Sequence, residues 1–160
     1  MPLPAGASLA QAAGTGAVIS IGGVTGAGGT ETFIPIGEVS DAKLSGRKLA
    51  TTSTTNFDSL GVARKLGTIL DYGQASLTVM RVSGDAGQVA VLAANVAAVA
   101  YDFKVQMPKN TRAGQTSTGD LISFSALVTE AGDFDISLTK QSDYTFTLDI
   151  DGAYTVTAGS

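Results

Sequence analysis

Alternation of apolar and polar side chains dominates the second half of the chain. Tyr101, Phe103, Val105 and Met107 alternate with Asp102, Lys104 and Gln106 until Pro108 ends the run. Ile122, Phe124, Ala126 and Val128 alternate with Ser123, Ser125 and Thr129. Phe134, Ile136 and Leu138 alternate with Asp135, Ser137 and Thr139, and Tyr144, Phe146, Leu148 and Ile150 with Thr145, Thr147 and Asp149. A period of two sends successive side chains to opposite faces, so each run is a strand with one face on a core and one in solvent. Asp151-Gly152 is the dipeptide of a two-residue hairpin turn, leading to a short strand through Tyr154 and Val156.

The first half is less regular. Ala17–Ile21 and Ala75–Val82 read as strands, and Gly22 to Gly29 reads as a flexible stretch between elements. Phe33–Val39 reads as a strand in which Pro35 lacks a ladder donor, which places it at an edge or a bulge. Lys43 to Tyr72 has no sustained alternation and reads as a long loop rich in Thr, Ser and Gly; loops beyond ~12–15 residues are uncommon unless they have a task. One segment changes period. Asp85 is placed to cap a helix with Gln88 three residues on, a capping-box spacing. Val89, Leu92, Val96 and Val99 then recur at three- and four-residue steps, predicting a helix over about Ala86 to Ala100 with that stripe on the core. The predicted fold is mainly β: an antiparallel β-sandwich or barrel with one packed α-helix and a long extended loop. Residues 1–30 form a Gly/Ala-rich leading segment and residues 31–160 the domain.

Composition narrows the functions. At 160 residues the chain can bury roughly 68–70% of its unfolded surface without staples. It is 44% hydrophobic and only 15% charged, too apolar for a disordered chain and too sparsely charged for an ordinary solvated monomer. Part of its surface is therefore expected to lie against other subunits. Histidine and cysteine are absent, which excludes Ser-His and Cys-His nucleophile pairs, zinc sites built on those ligands, and disulfides. Tryptophan is absent as well. The longest apolar run, Val89 to Tyr101 interrupted by Asn95, is shorter than the ~20 residues of a membrane span, so no membrane insertion is expected. No basic region precedes the small apolar residues of the N-terminus, so no secretory signal is expected either.

Charge is segregated along the chain. Met1 to Thr30 carries none, Glu31 to Arg112 carries nine basic and seven acidic residues, and Ala113 to Ser160 carries seven acidic residues against Lys140. A basic middle and an acidic end suit head-to-tail association of identical subunits, because opposite poles attract; acidic residues that simply solubilise the last strands would give the same count.

The candidate motifs are weak as chemistry. Gly26-Ala27-Gly28-Gly29-Thr30 is glycine-rich, but Glu31 follows where a phosphate loop needs Lys and a helix N-terminus. Asp149-Ile150-Asp151-Gly152 lacks the third carboxylate and closing Glu of a calcium loop. Asp133 and Asp135 share a strand face about 7 Å apart, a spacing open to a glycosidase-like pair, yet no aromatic sugar platform accompanies them; a channel-facing or solvated strand edge is the better reading. Arg47-Lys48 and Arg64-Lys65 flank the long loop as basic doublets suited to an acidic neighbour. The net charge of −4 disfavours a nucleic-acid grip. Met80 and Met107 read as core filler. No cofactor or metal is expected.

The order of parts is similar to a known family. Phe33-Ile34-Pro35-Ile36-Gly37-Glu38-Val39-Ser40-Asp41 resembles the early "IGEV-x-D" strand of bacteriophage tail tube proteins. There the strand leads into a Thr-rich loop, here Thr51-Thr52-Ser53-Thr54-Thr55-Asn56-Phe57-Asp58-Ser59. A "K-x-x-G-x-x-D-x-G" turn follows as Lys65-Leu66-Gly67-Thr68-Ile69-Leu70-Asp71-Tyr72-Gly73, then the strand Ala75–Val79, Asp85 at a helix start and a strand containing Phe103. The resemblance runs from about Phe33 to Tyr154 and is carried by order and spacing together. It implies a virion structural protein, assembled in the host cytoplasm, whose copies form six-fold rings that stack into a hollow tube. Genome DNA passes through the tube without specific binding, and the partners are further copies of the chain with tail-tip, tape-measure and terminator proteins. The implied subtype is the non-contractile tail. Residues Arg47, Lys48, Thr51, Thr52, Thr54, Asn56, Phe57, Asp58, Arg64 and Lys65 would make the contact between subunits or rings, with Asp133, Asp135, Asp149 and Asp151 at the lumen or an acidic pole. A carbohydrate-binding or adhesin-like module would use the same sandwich without stacking, and an enzyme using Asp or Ser chemistry would need a concave pocket with a perturbed carboxylate.

Overall fold

The computed structural model describes residues 16–57, 61–135, 138–139 and 142–160. In chain order the elements are β1 (Val18–Val24), β2 (Ile34–Pro35), β3 (Val39–Leu44), β4 (Lys48–Ser53), β5 (Lys65–Asp71), β6 (Gln74–Met80), α1 (Ala86–Ala97), β7 (Tyr101–Gln106), a 3-10 turn (Thr111–Ala113), β8 (Leu121–Asp135) and β9 (Asp143–Thr157). Seven strands form one antiparallel sheet in the order β2-β1-β7-β8-β9-β6-β3, and β4 and β5 pair separately.

The alternating runs do what their period requires. Phe103 and Val105 of β7, Phe124, Ala126 and Val128 of β8, Phe146, Leu148 and Ile150 of β9, and Ala75, Leu77 and Val79 of β6 all point into one core. Phe103 and Phe124, directly opposite in register, stack with ring centroids 5.7 Å apart. The sheet curls until its two ends approach, because Ile19 of β1 and Val39, Ala42 and Leu44 of β3 line the same cleft of about 340 Å3. A strap closes the curl at one end: Ile36 N–H donates to the Ile19 carbonyl (2.8 Å), and Met80 N–H donates to the Glu38 carbonyl (2.9 Å). The architecture is an incompletely closed barrel. The strap also splits the expected Phe33–Val39 strand in two, since the chain turns at Glu38 with φ 54. Pro35 sits on the edge strand, as its missing donor demands.

Two readings of the final strands give way. Phe134 and Asp135 belong to no separate strand; they end β8, whose fifteen residues are bent by register shifts between Val128 and Glu130 and between Ala131 and Asp133. Of the rest of that expected run, Ile136 and Ser137 lie outside the described residues, and Leu138 and Thr139 form an exposed bend rather than a strand. Nor does Asp151-Gly152 turn the chain. β9 runs on, and Gly152 at φ 81 falls in the register shift between the pairs Ser125–Asp151 and Ser123–Thr155. A positive-φ glycine serves a bulge as readily as a turn.

The helix starts as expected: the Asp85 carboxylate accepts from Gln88 N–H at 2.8 Å. It ends earlier, capped by Ala98 in the left-handed conformation. The expected stripe faces the wrong way. Gly87, Gln88, Val91 and Ala94 are buried, whereas Val89 is 55% and Val96 85% exposed, Val99 is exposed, and Leu92 is half-buried. Gln88, 2% exposed, does not close a capping box. Its Oε1 accepts from Val82 N–H (3.1 Å), and its Nε2 donates to the carbonyls of Met80 (2.8 Å) and Gly37 (3.1 Å), joining the end of β6 to the strap. Gly87 lies so close to the backbone of Pro35 and Ile36 that a Cβ has no room. Asn95 donates to the Val128 carbonyl at 2.8 Å, at the residue where β8 shifts register.

A candidate self-assembly surface

The long loop of the sequence is a β ribbon. Lys48–Ser53 pairs antiparallel with Lys65–Asp71, with Leu49 opposite Leu70, Thr51 opposite Gly67 and Thr52 opposite Leu66. Every residue of both strands is exposed. Alternation fails to reveal such a strand because neither face is buried; Thr, Leu and Ile supply β propensity without a one-sided pattern. The resemblance motif gains a physical reason here. Gly67 lies where a Cβ would press on the Leu49 side chain, and Gly73 adopts φ 76 beside Ser45.

The ribbon continues the β3–β6 ladder. Leu44 lies opposite Ala75, and after a break at Ser45–Arg47 and Tyr72–Gly73, Lys48 lies opposite Asp71. The register is unchanged across the break, so the chain from Val39 to Met80 is one long hairpin with a joint. That joint is pinned. Ser45 N–H donates to the Gln74 carbonyl (2.8 Å), Gln74 N–H returns a bond to Ser45 Oγ (2.7 Å), and Ile150 N–H of β9 donates to the Gly73 carbonyl (3.0 Å). Tyr72 packs edge-on against Tyr154 with centroids 5.2 Å apart. The arm beyond it is held at its root and open elsewhere.

Its surface is unusual for an exposed element. Leu49, Leu66 (59% exposed), Ile69 (72%), Leu70, Val62 and Phe57 all show large apolar area to solvent. An isolated two-stranded hairpin is marginally stable in water, and clustered exposed apolar side chains mark interaction surfaces. Arg47, Lys48, Arg64 and Lys65, all exposed, flank this patch at the root and near the tip. Thr51 and Thr52 lie in β4, and Thr54 N–H closes toward the tip by donating to the Arg64 carbonyl (3.0 Å). Asn56 and Phe57 sit at the tip, while Asp58 lies outside the described residues. The ten residues expected to make intersubunit contact therefore belong to one element wherever they are described. The apolar residues among them and beside them, Leu49, Leu66 and Ile69, were missed by sequence reasoning, and their signal was β-formers without a buried partner run.

A second exposed apolar face lies on α1, formed by Val89, Ala93, Val96 and Ala97. No charged residue occurs between Ala86 and Ala100.

The four expected acidic residues fall into two places. Asp133 and Asp135 end β8, with Asp135 paired to Asp143. Asp149 and Asp151 lie in mid-β9, where Asp149 accepts from Gln74 Nε2 and Asp151 is exposed opposite Ser125. Among the described residues no group of three His, Cys, Asp or Glu side chains is placed to hold a metal, and no helix is long and apolar enough to cross a membrane. A small cleft of about 260 Å3 lies beside Phe33, Lys104, Asp102 and Ser125. Its polar groups are engaged locally: Lys104 Nζ rests 3.7 Å from the centre of the Phe33 ring, Glu31 accepts from Gly23 N–H, and Asp102 accepts from the hydroxyls of Thr25 and Ser125.

No protein-family model matches the chain, and no curated protein sequence matches it. Solved structures do. The chain is similar to a protein of the tail of an empty gene transfer agent particle refined with C6 symmetry, at TM-score 0.65 and 17% identity, over 92% of this chain and 100% of that one. It is similar to the SPP1 tail tube protein at TM-score 0.65 and 12% identity, over 94% of this chain and 80% of that one. It is also similar to a chain of the anti-feeding prophage tube-terminating cap, at TM-score 0.63 and 13% identity, over 96% of this chain and 95% of that one. At these identities the likeness is one of architecture: the chain has the fold of a tail tube protein.

Proposed function

We propose that this chain is a virion structural protein whose copies form six-fold rings stacked into the tail tube of a phage, a conduit for the genome. The observation that carries the reading is the arm, an ordered ribbon with apolar side chains in solvent on a barrel that has no use for it as a monomer. The fold shared with a tail tube protein and with a C6-symmetric tail supports the same reading. Heterologous contact between identical subunits generates rings and stacks, and an interface hides apolar surface that a lone subunit leaves wet. The uncharged outer face of α1 suits the lateral contact within a ring, and the arm, with Arg47, Lys48, Arg64 and Lys65, suits the contact between rings. The polar face of β9, with Asp149 and Asp151, suits the lumen. Carboxylates there repel phosphates and let DNA slide without sticking. Tail-tip, tape-measure and terminator proteins are the partners this role requires, and the work is geometric and electrostatic rather than catalytic.

Negative-stain images of the concentrated chain test the reading. Rings of six and tubes built from them are expected. Particles that stay monomeric at every concentration, including after addition of a tail-tip complex as initiator, would overturn it.

A further inference from the structure

The connection from β7 to β8, residues 107–120, holds a turn to which tube formation gives no task. Thr116, Ser117 and Thr118 aim three consecutive backbone N–H groups at one oxygen, the main-chain oxygen of Ser160, at 2.9, 2.7 and 3.1 Å. A neutral carbonyl has two lone pairs and is satisfied by two donors. A third donor on the same oxygen suits an anion, and successive N–H groups that converge in a turn form a concave nest of positive partial charge.

The seat is also shaped for a small residue ahead of that oxygen. Asp120 Oδ1 accepts from Gly159 N–H (2.9 Å) and from Gln115 Nε2 (2.7 Å), so one carboxylate holds both the seated end and the turn. Gln115 Oε1 accepts in its turn from Asn110 N–H (2.7 Å), and Asn110 Oδ1 accepts from Arg112 N–H (3.1 Å) at the start of the 3-10 turn. Gly159 lies against the Thr118 carbonyl and the backbone of Gly119, where a Cβ has no room. Gly119 is itself buried, pressed on the carbonyls of Met107 and Pro108. Gly159 and Ser160 are therefore gripped by backbone and by tethered polar side chains rather than by apolar burial.

We propose that the turn at 116–118 is a carboxylate-binding site whose occupant is Ser160 as a free, ionised chain end. Capture of a terminal carboxylate by a backbone nest recognises the end of a chain as such: its charge satisfies the third N–H, and the clearance at Thr118 admits only glycine before it. Bonds from backbone N–H groups to an anion are roughly twice as strong as those to a neutral acceptor, so a chain that ran on past Ser160 would hold the turn less firmly. The clasp ties the end of β9 to the β7–β8 connection within one copy, and it is independent of the tube reading.

Two otherwise unchanged full-length chains test it. In one, two glycines added after Ser160 make its oxygen a neutral carbonyl; in the other, Gly159→Ala drives the end out of its seat. Hydrogen exchange followed by NMR should show the amides of Thr116, Ser117 and Thr118 exchanging about tenfold faster in both, as charge-assisted bonds are lost, with amides of the core strands unchanged. The peptide acetyl-Thr-Ala-Gly-Ser, added to the Gly159→Ala chain, should restore slow exchange at those three amides as the free acid and not as the carboxamide. Unchanged exchange in the extended chain, or acid and carboxamide acting alike, would show that a neutral carbonyl suffices and would overturn the proposal. Unchanged exchange in the Gly159→Ala chain would overturn it as well, by showing that the end is not seated there.

Discussion

The barrel and the arm are built from the same backbone ladder but obey different rules. In the barrel, Leu77, Val79, Phe146 and Leu148 are buried with polar neighbours on the other face. In the arm, only a few residues along the same hairpin, Leu49, Leu66 and Ile69 stand in solvent. The barrel's apolar side chains are buried within the one copy; the arm's stand in water there. The contrast teaches that paired strands need not bury a face within their own chain, and that a missing alternation is informative when the residues are still β-formers.

Substitutions should separate the two regions by effect. The largest loss is expected in the core: Phe146→Ala, at a fully buried site, should cost about 3–5 kcal/mol and abolish tubes by depleting folded subunits, as denaturant midpoints will show. Next is Gln88→Leu. It leaves Val82 N–H and the Gly37 and Met80 carbonyls without their partner, and each stranded group costs roughly 1–3 kcal/mol, less whatever the added apolar burial returns. A net loss of about 2 kcal/mol in chemical unfolding would fit; an unchanged midpoint would show that the strap is held without it. Smallest in stability is the arm. Leu66→Ser with Ile69→Ser should move monomer stability by no more than about 0.5 kcal/mol while suppressing tubes in micrographs. A large drop in melting temperature would show that the arm packs on its own barrel.

Much of the barrel was legible because β6, β7, β8 and β9 each bury one face, and burial writes a period of two into the sequence. Asp85 and Pro35 were legible because a cap and a missing N–H are local matters. The helix face was not. A segment without charges looks apolar all round, so Val89, Val96 and Val99 imitated a core stripe while small Gly87 and Ala94 made the close contacts. Gln88 was hidden for the complementary reason: its three bonds go to groups far from any capping position. Asp151-Gly152 has the composition of a turn, and only the pairing of β8 with β9 shows that the chain passes straight through. In the candidate site the basic doublets were legible as charge, but the pairing of Lys48–Ser53 with Lys65–Asp71 was not, since neither strand has a dry side.

The brevity of β2 has a bearing on unwanted fibre formation. A sheet grows indefinitely when its rim presents a run of unused donors and acceptors. Here one rim is a two-residue strand containing an imino acid, and the other, β3, displays Asp41 and Lys43. Fibrillar growth along either rim is thereby discouraged, and lateral addition of strands is not a route by which copies of this sheet pile up without limit.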